Sequence, residues 1–265
     1  YRVDSLEDYD AALRAVGYLT HRHGKIDWIE SNNEYWLCLD ARLRDDFNVR
    51  TGHGTAQIEA IKSKAAMKPV YAWAGIPSAR QERVTDAAGV RAFAALVGYP
   101  LVAKPEYGIG AHGAFRLTSD ADVDAAFGDG VPGAYVVEEV VVGDLVSYDA
   151  ILDAGGDPAF EAATPWPSSI MDVVTDRLDL TYRIAAQMPA GLAEVGLGTA
   201  RAFGMRNRFV HEEFFRLTAD KPGLGRTGDY VGLEVNMRPA GGNTLDMYNY
   251  ARDADVYQIY TDVVT

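Results

Sequence analysis

Between residues 100 and 236 the chain runs through short apolar or alternating segments separated by tight turns, at 101–104, 113–117, 135–140, 146–152, 208–217 and 230–236. Helical periodicity interrupts them only irregularly, at 120–127 and 189–203. A doubly wound parallel sheet needs strict strand-helix-strand alternation, because each parallel crossover carries a helix. The pattern therefore predicts an α+β architecture. Upstream, apolar residues at helical spacing predict helices over 6–23 and over 55–74, the second closed by Gly75 and Pro77, and a last helix is expected over 245–263. Residues 26–29 read as a short strand followed by the polar turn Ser31-Asn32-Asn33. A helix feeding a strand is half of an α/β unit, so residues 1–60 are expected to be part of an α/β N-terminal domain. The chain begins at Tyr1 without a methionine, which predicts that the natural protein extends upstream.

Composition narrows the function classes. With 265 residues, 48% of them hydrophobic and 24% charged, there is ample material for a core. A net charge of −13 argues against a nucleic-acid partner, since phosphate contacts need a positive face, although a nucleotide can still bind in a locally basic pocket. The single cysteine, Cys38, excludes an internal disulfide, fits a reducing cytoplasm, and reads as a small buried apolar residue. No apolar run approaches the ~18 residues of a membrane span and no signal segment opens the chain, so no membrane partner and a cytoplasmic location are expected.

The residues that carry chemistry are few. Leu233-Glu234-Val235-Asn236-Met237-Arg238-Pro239 sets a carboxylate, an amide oxygen and a guanidinium at every second position, on one side of a strand. Hard oxygen donors suit Mg²⁺, and an arginine beside them can neutralise a phosphoryl group. The same pattern also describes an amphipathic strand with a solvated polar face. His211-Glu212-Glu213-Phe214-Phe215 lies on the preceding strand, and a hairpin of the two would bring Glu213 beside Glu234 and Asn236. Paired carboxylates are costly without a cation between them. His211 alternates with Glu213 and reads either as part of that site or as a hydrogen-bonded structural histidine. Lys104 ends an apolar strand and precedes Gly108, Gly110 and Gly113, glycines that let the backbone approach an anion, or that simply turn a hairpin. Glu138, Glu139, Val140 and Val141 end another strand before Gly143-Asp144, where backbone groups and a carboxylate can meet an adenine edge, or where the adjacent acids are simply solvated.

Taken in order, these elements resemble the ATP-grasp superfamily of carboxylate-amine ligases, which includes biotin carboxylase and D-alanyl-D-alanine ligase. Lys64 to Lys68 lead to Gly75-Ile76-Pro77, Lys104 precedes the glycine flap, Val137 to Val141 match the hinge, and Glu213-Phe214 and Glu234 to Arg238 match the metal and phosphate strands. The resemblance implies an ATP-grasp fold divided at about residues 1–60, 61–142 (linker helix and flap lid) and 143–265 (the Mg-ATP subdomain). It implies that Lys64, Lys104, Gly108, Gly110 and Gly113 meet the ATP phosphates, and that Glu138 to Val141 hold the adenine. Glu213, Glu234 and Asn236 would bind Mg²⁺, with Mn²⁺ as the admissible substitute, while Arg238 and Lys104 stabilise the transferring phosphoryl group. Leu145 stands where many relatives carry a ribose-binding glutamate, leaving the ribose to Asp144 or to another group, and Ser147-Tyr148-Asp149 matches a recurrent S-x-D pattern.

The activity so implied joins a small-molecule carboxylate, such as an amino acid, to an amine through an acylphosphate, releasing ADP and phosphate. A kinase-like or carboxylase-like reaction and a nucleotide-binding module without turnover are the alternatives. Gly241-Gly242 suit contact with a substrate carboxylate, and Trp166, Tyr182 and Tyr248 are candidates to line an acceptor pocket or to fill the core. A homodimer is compatible with the resemblance.

Overall fold

A computed structural model of the chain describes residues 1–108, 113–128, 130, 133–167, 179 and 181–265. Four helices lead in: α1 (Tyr9–His23), α2 (Leu37–Asp46), α3 (Thr55–Lys62) and α4 (Lys64–Trp73). The single helix expected over 55–74 is broken at Ser63, whose extended backbone (φ −92°, ψ 118°) ends α3 and whose hydroxyl accepts from Ala66 N–H to cap α4. Inside α4, Pro69 has no N–H for the Ala65 carbonyl. Gln81 Nε2 fills the gap, donating to Ala65 O at 3.2 Å and to Lys64 O at 3.1 Å.

The expected strand at 26–29 does not form, and residues 1–60 contain no strand. An isolated extended segment has no ladder to satisfy its backbone. Here Arg44 Nε donates to Ile29 O instead, at 2.9 Å. The fully buried Arg44 and Arg208 share the carboxylate of Glu30, at 2.9 and 3.1 Å, and tie this segment to the C-terminal sheet. Cys38 is exposed rather than buried, because α2 turns the adjacent Leu37 and Ala41 inward.

Two four-stranded antiparallel sheets follow. The first contains β1 (Gln81–Val84), β2 (Leu101–Pro105), β3 (Phe115–Leu117) and β4 (Tyr135–Glu139) in the order β1-β4-β2-β3. Its apolar face, with Leu101, Ala103, Leu117 and Val137, is covered by α5 (Ala87–Val97) and α6 (Asp120–Phe127). Val90, Phe93 and Ala94 on α5 recur at the spacing that makes one helical face. The second contains β5 (Gly143–Leu152), β6 (Pro158–Trp166), β7 (Arg208–Leu217) and β8 (Tyr230–Asn236) in the order β6-β5-β7-β8. Helices α4 and α7 (Leu192–Ala202) cover one face, with Val146, Tyr148, Ala150, Val210, Phe214 and Val235 in the shared core. On the other face, α8 (Thr244–Arg252) and α9 (Val256–Val264) cover only one end, around Ile151, Ala162 and Phe209. The single helix expected over 245–263 is split because Asp253 takes a left-handed conformation (φ 49°) and Asp255 caps α9. Helices α2 and α5 and strands β1 and β6 were not anticipated.

The uncovered end of the second sheet is where the chemistry gathers. β8 reaches it with a bulge: Phe214 pairs with Gly232 and Glu213 with Glu234, so Leu233 is the extra residue. Gly232 also bonds the Gly-Ile-Pro turn, its N–H donating to Pro77 O at 2.8 Å, and a Cβ there would lie 2.5 Å from the ring of the fully buried Tyr71. The ring has no room to retreat. Gly232→Ala is expected to cost about 1–3 kcal/mol of stability through overpacking, read by thermal denaturation. An unchanged Tm would mean that α4 shifts freely over β8.

Candidate active site

A cleft of about 1200 Å³ opens between the two sheets, floored by β4, β7 and β8 and walled by α4. Alternation does the local work. His211 and Glu213 on β7 and Glu234 and Asn236 on β8 line the cleft, and Ser147 and Asp149 on β5 lie on the same side of the sheet but are buried beside them. Register places them in rows, with Ser147 opposite Glu213 and Asp149 opposite His211, then Glu213 opposite Glu234 and His211 opposite Asn236. The hairpin inferred from sequence is therefore formed.

A hydrogen-bonded line crosses these strands. Ser147 Oγ donates to Asp149 Oδ2 at 2.6 Å, Asp149 Oδ1 meets His211 Nδ1 at 2.6 Å, and His211 Nε2 lies 3.4 Å from Glu213 Oε1. Burial alone would lower the His211 pKa, but Asp149 and then Glu213 hold it up at about 10. The imidazolium in turn helps to keep the Glu213 carboxyl below its ordinary range despite its own burial. Its neighbour Glu212 points to the opposite face, into the core. Both of its oxygens are buried without a hydrogen-bond partner among the described residues, and desolvation pushes its pKa well up.

Three lysines enter from the other side. Lys104 Nζ is 2.8 Å from Glu138 Oε2, and Lys68 Nζ is 3.2 Å from Glu138 Oε1. Lys64 Nζ is 3.4 Å from Glu234 Oε1 and 3.3 Å from Gly108 O. Burial alone would raise the Glu138 pKa, yet Lys104 and then Lys68 bring it down to about 2. Lys68 was not singled out from sequence, although its place one turn after Lys64 on α4 was the available signal.

At the hinge, the Glu138 carboxylate is the counter-ion of two lysines. Glu139 is bound by Arg80 at 2.7 Å and by Lys221 at 3.2 Å, and Lys221 also donates to Val140 O at 2.6 Å. Both hinge carboxylates are thus held in ion pairs. Val141 and Asp144 line the cleft with their own groups uncommitted to an ion pair among the described residues. Of the flap glycines, Gly108 lines the cleft, Gly110 lies outside the described residues, and Gly113 packs on Pro105 and Tyr135. Gly113 turns the chain at φ 74°, and a Cβ there would sit 3.1 Å from the Pro105 ring.

Arg238 lies just past the end of β8. Its Nη2 donates to Asn236 Oδ1 at 3.3 Å, its Nη1 to Pro239 O at 2.9 Å, and its Nε faces Glu34 Oε2 at 3.3 Å. The segment Asn32–Glu34 therefore forms part of the wall, which its sequence, read as a polar turn, did not reveal. At the far end Trp166 and Tyr182 line the cleft with ring centroids 4.7 Å apart, and Tyr182 shares a hydrogen bond of 2.9 Å with Thr244. Tyr248 is core, 5.6 Å from the Phe160 ring.

Fold comparison bears on this arrangement. The chain superimposes on an N5-carboxyaminoimidazole synthetase from Staphylococcus aureus complexed with ADP, with a TM-score of 0.73 at 14% identity, over 98% of this chain and 65% of that one. It has the ATP-grasp fold. An L-amino acid ligase from Bacillus licheniformis gives a TM-score of 0.65 at 17% identity, covering 91% of this chain and 56% of that one. The biotin carboxylase domain of a 2-oxoglutarate carboxylase from Hydrogenobacter thermophilus, in complex with MgADP, ADP and bicarbonate, gives 0.66 at 18% identity, covering 100% and 58%. Among curated proteins, the alanine–anticapsin ligase of Bacillus subtilis (strain 168) is 23% identical over 270 residues, 90% of this chain and 54% of that protein. The chain thus spans about half the length of the curated relative it matches. No protein-family model matches it. No helix among the described residues is long and apolar enough to cross a membrane.

Two of these neighbours were solved in complex with ADP or MgADP, so the donor set can be tested against Mg²⁺. Among the described residues no group of three or more His, Cys, Asp and Glu side chains forms a metal cage. Two opposed carboxylates and an amide oxygen on adjacent strands are instead a partial set of hard donors. That fits an ion that keeps waters and takes its remaining ligands from phosphates.

Proposed function

We propose that the chain carries the Mg-ATP site of an ATP-dependent carboxylate-amine ligase. The observation that carries this reading is the pairing of Glu213 with Glu234, Asn236 beside them, opposite a cluster of lysines and next to Arg238. Like charges directly opposed across a ladder destabilise a sheet unless a cation lies between them. Glu213, Glu234 and Asn236 would hold Mg²⁺, which when bound would neutralise the β- and γ-phosphates.

The remaining work falls to the chain's own groups. Lys64 and Lys104 reach the phosphates, and Glu138 is the counter-ion that Lys104 shares with Lys68. The His211 imidazolium, fixed by Asp149, orients the Glu213 oxygen toward the ion. Arg238 offers its guanidinium to the γ-phosphoryl group as a carboxylate attacks it and ADP leaves, and an amine then attacks the acylphosphate carbonyl, forming the amide as phosphate departs and the amine gives up a proton. Phosphoryl transfer of this kind rests on positioning and charge neutralisation. The adenine would lie along the backbone of Val140 and Val141 with Asp144 at the ribose. The apolar wall of Trp166 and Tyr182 and the Gly241-Gly242 backbone would receive the acceptor. The names of the similar ligases support amino acids as substrates of this site.

The test is Mg-ATP-dependent phosphate release against a panel of amino acids, small carboxylates and bicarbonate, singly and in pairs, with Arg238→Ala as background. Stimulation by a carboxylate together with an amine is the expected result, with the amide found among the products. Stimulation by bicarbonate alone would assign a carboxylase-like reaction. Nucleotide binding without stimulation by any pair would leave a binding module in place of a ligase.

A further inference from the structure

The cleft holds a carboxylate that neither the metal pair nor the lysine cluster accounts for. Glu34 comes from the irregular segment before α2 and meets Arg238 across 204 residues of sequence. Its Oε2 is 3.3 Å from Arg238 Nε, and its Oε1 is 2.5 Å from Lys62 Nζ, which also donates to the Glu34 carbonyl at 3.0 Å. All three side chains are largely buried, at 11%, 13% and 19% exposure for Glu34, Lys62 and Arg238. One carboxylate is thus shared between two cations at the edge of the phosphate site.

Resting on the nucleotide reading above, we propose that Glu34 is a positioning residue that fixes the Arg238 guanidinium for the γ-phosphoryl group. The need follows from the backbone. β8 ends at Asn236, so ladder pairing does not hold residue 238, and a free arginine side chain is rich in rotamers. Guanidinium has five N–H groups, one on Nε and two on each terminal nitrogen. Glu34 takes the Nε donor, Pro239 O takes one from Nη1, and Asn236 Oδ1 takes one from Nη2. One N–H on each terminal nitrogen is left without a partner among the described residues, available to phosphoryl oxygens.

Charge points the same way. Glu34 between Lys62 and Arg238 leaves one net positive charge beside the phosphates. Without it two cations repel, and the Arg238 charge, already felt by Glu213, is drawn to the metal carboxylates. Lys62 holds the Glu34 main chain as well as its carboxylate, so removing the carboxylate alone leaves the segment anchored.

The experiment measures Kd for Mg·ADP and for Mg·β,γ-imido-ATP, whose ratio isolates the γ-phosphate contribution, in wild type, Glu34→Ala, Glu34→Gln, Arg238→Ala and the Glu34→Ala/Arg238→Ala double variant. Glu34→Ala is expected to lower the preference for the imido-nucleotide about tenfold, the size of one charge-assisted hydrogen bond, with ADP affinity nearly unchanged. Glu34→Gln, which keeps the oxygen, should fall between it and wild type. The double variant should match Arg238→Ala, because Glu34 acts through that side chain. A merely structural Glu34 would weaken both nucleotides equally or lower the Tm with the ratio intact, and that result in both Glu34 variants overturns the proposal. Additive losses in the double variant overturn it too. Wild type that binds neither nucleotide would instead remove the nucleotide reading, and the role of Glu34 with it.

Discussion

Glu234→Ala is expected to reduce Mg-ATP-dependent phosphate release by about 10²–10³-fold, while the Tm stays within about 2 °C of wild type. The two halves of this expectation have separate causes. Turnover falls because one of two opposed carboxylates is lost, and Glu213 with Asn236 cannot by themselves hold a cation against the lysines nearby. Stability is nearly kept because the Glu234 side chain is 25% exposed and its ion-pair partner, Lys64, sits at 3.4 Å. Removing it also relieves the repulsion from Glu213 across the ladder. Unchanged turnover with a full complement of Mg²⁺ would sink the metal assignment.

Glu138→Gln should behave in the opposite manner, as a stability variant first. Its carboxylate is buried between Lys104 at 2.8 Å and Lys68 at 3.2 Å. Taking away the shared partner leaves two buried ammonium groups uncompensated, a loss of about 3–5 kcal/mol. For a chain of this size that corresponds to a Tm about 10 °C lower. The pH dependence carries a sign. Glu138 has a pKa of about 2 in the folded protein against an ordinary 4.5, so the folded state binds its proton less readily than the unfolded state. Its contribution is complete above about pH 4.5 and is lost as the pH falls toward 2. Wild type should therefore lose about 3 kcal/mol across that window from this group, and Glu138→Gln should not. Thermal denaturation of both proteins from neutral pH downward makes the comparison. Parallel curves would show that the lysines do not depend on Glu138.

The strand patterns that survive in the structure are those whose signal is local. Period-two alternation put Glu234 and Asn236 on one side of β8, and the same alternation put His211 with Glu213 on β7 and Ser147 with Asp149 on β5. A turn-rich segment between β7 and β8 sufficed to make them a hairpin. Helix boundaries failed where a single residue decided them. Ser63 and Asp253 interrupt runs whose apolar spacing continues undisturbed, because capping geometry overrides periodicity at one position. The segment at 26–29 failed for a different reason: a strand exists only when another strand pairs with it, and β propensity alone says nothing about the partner.

The sequence by itself determined the α+β class, the order of the ATP-grasp elements and the faces on which the metal-type donors lie, because each depends on residue spacing within one element. Only the tertiary structure decided what the charges are paired with. Glu138 is paired with Lys104 and Lys68, and Glu139 with Arg80 and Lys221. Lys68 and Glu34 entered the site without being expected there, Glu34 from a segment 204 residues away from the arginine it meets. A buried charge is tolerated only beside an opposite one, and which one is near depends on how elements distant in sequence pack together. That packing also set the bulge at Leu233, which brings Glu234 opposite Glu213.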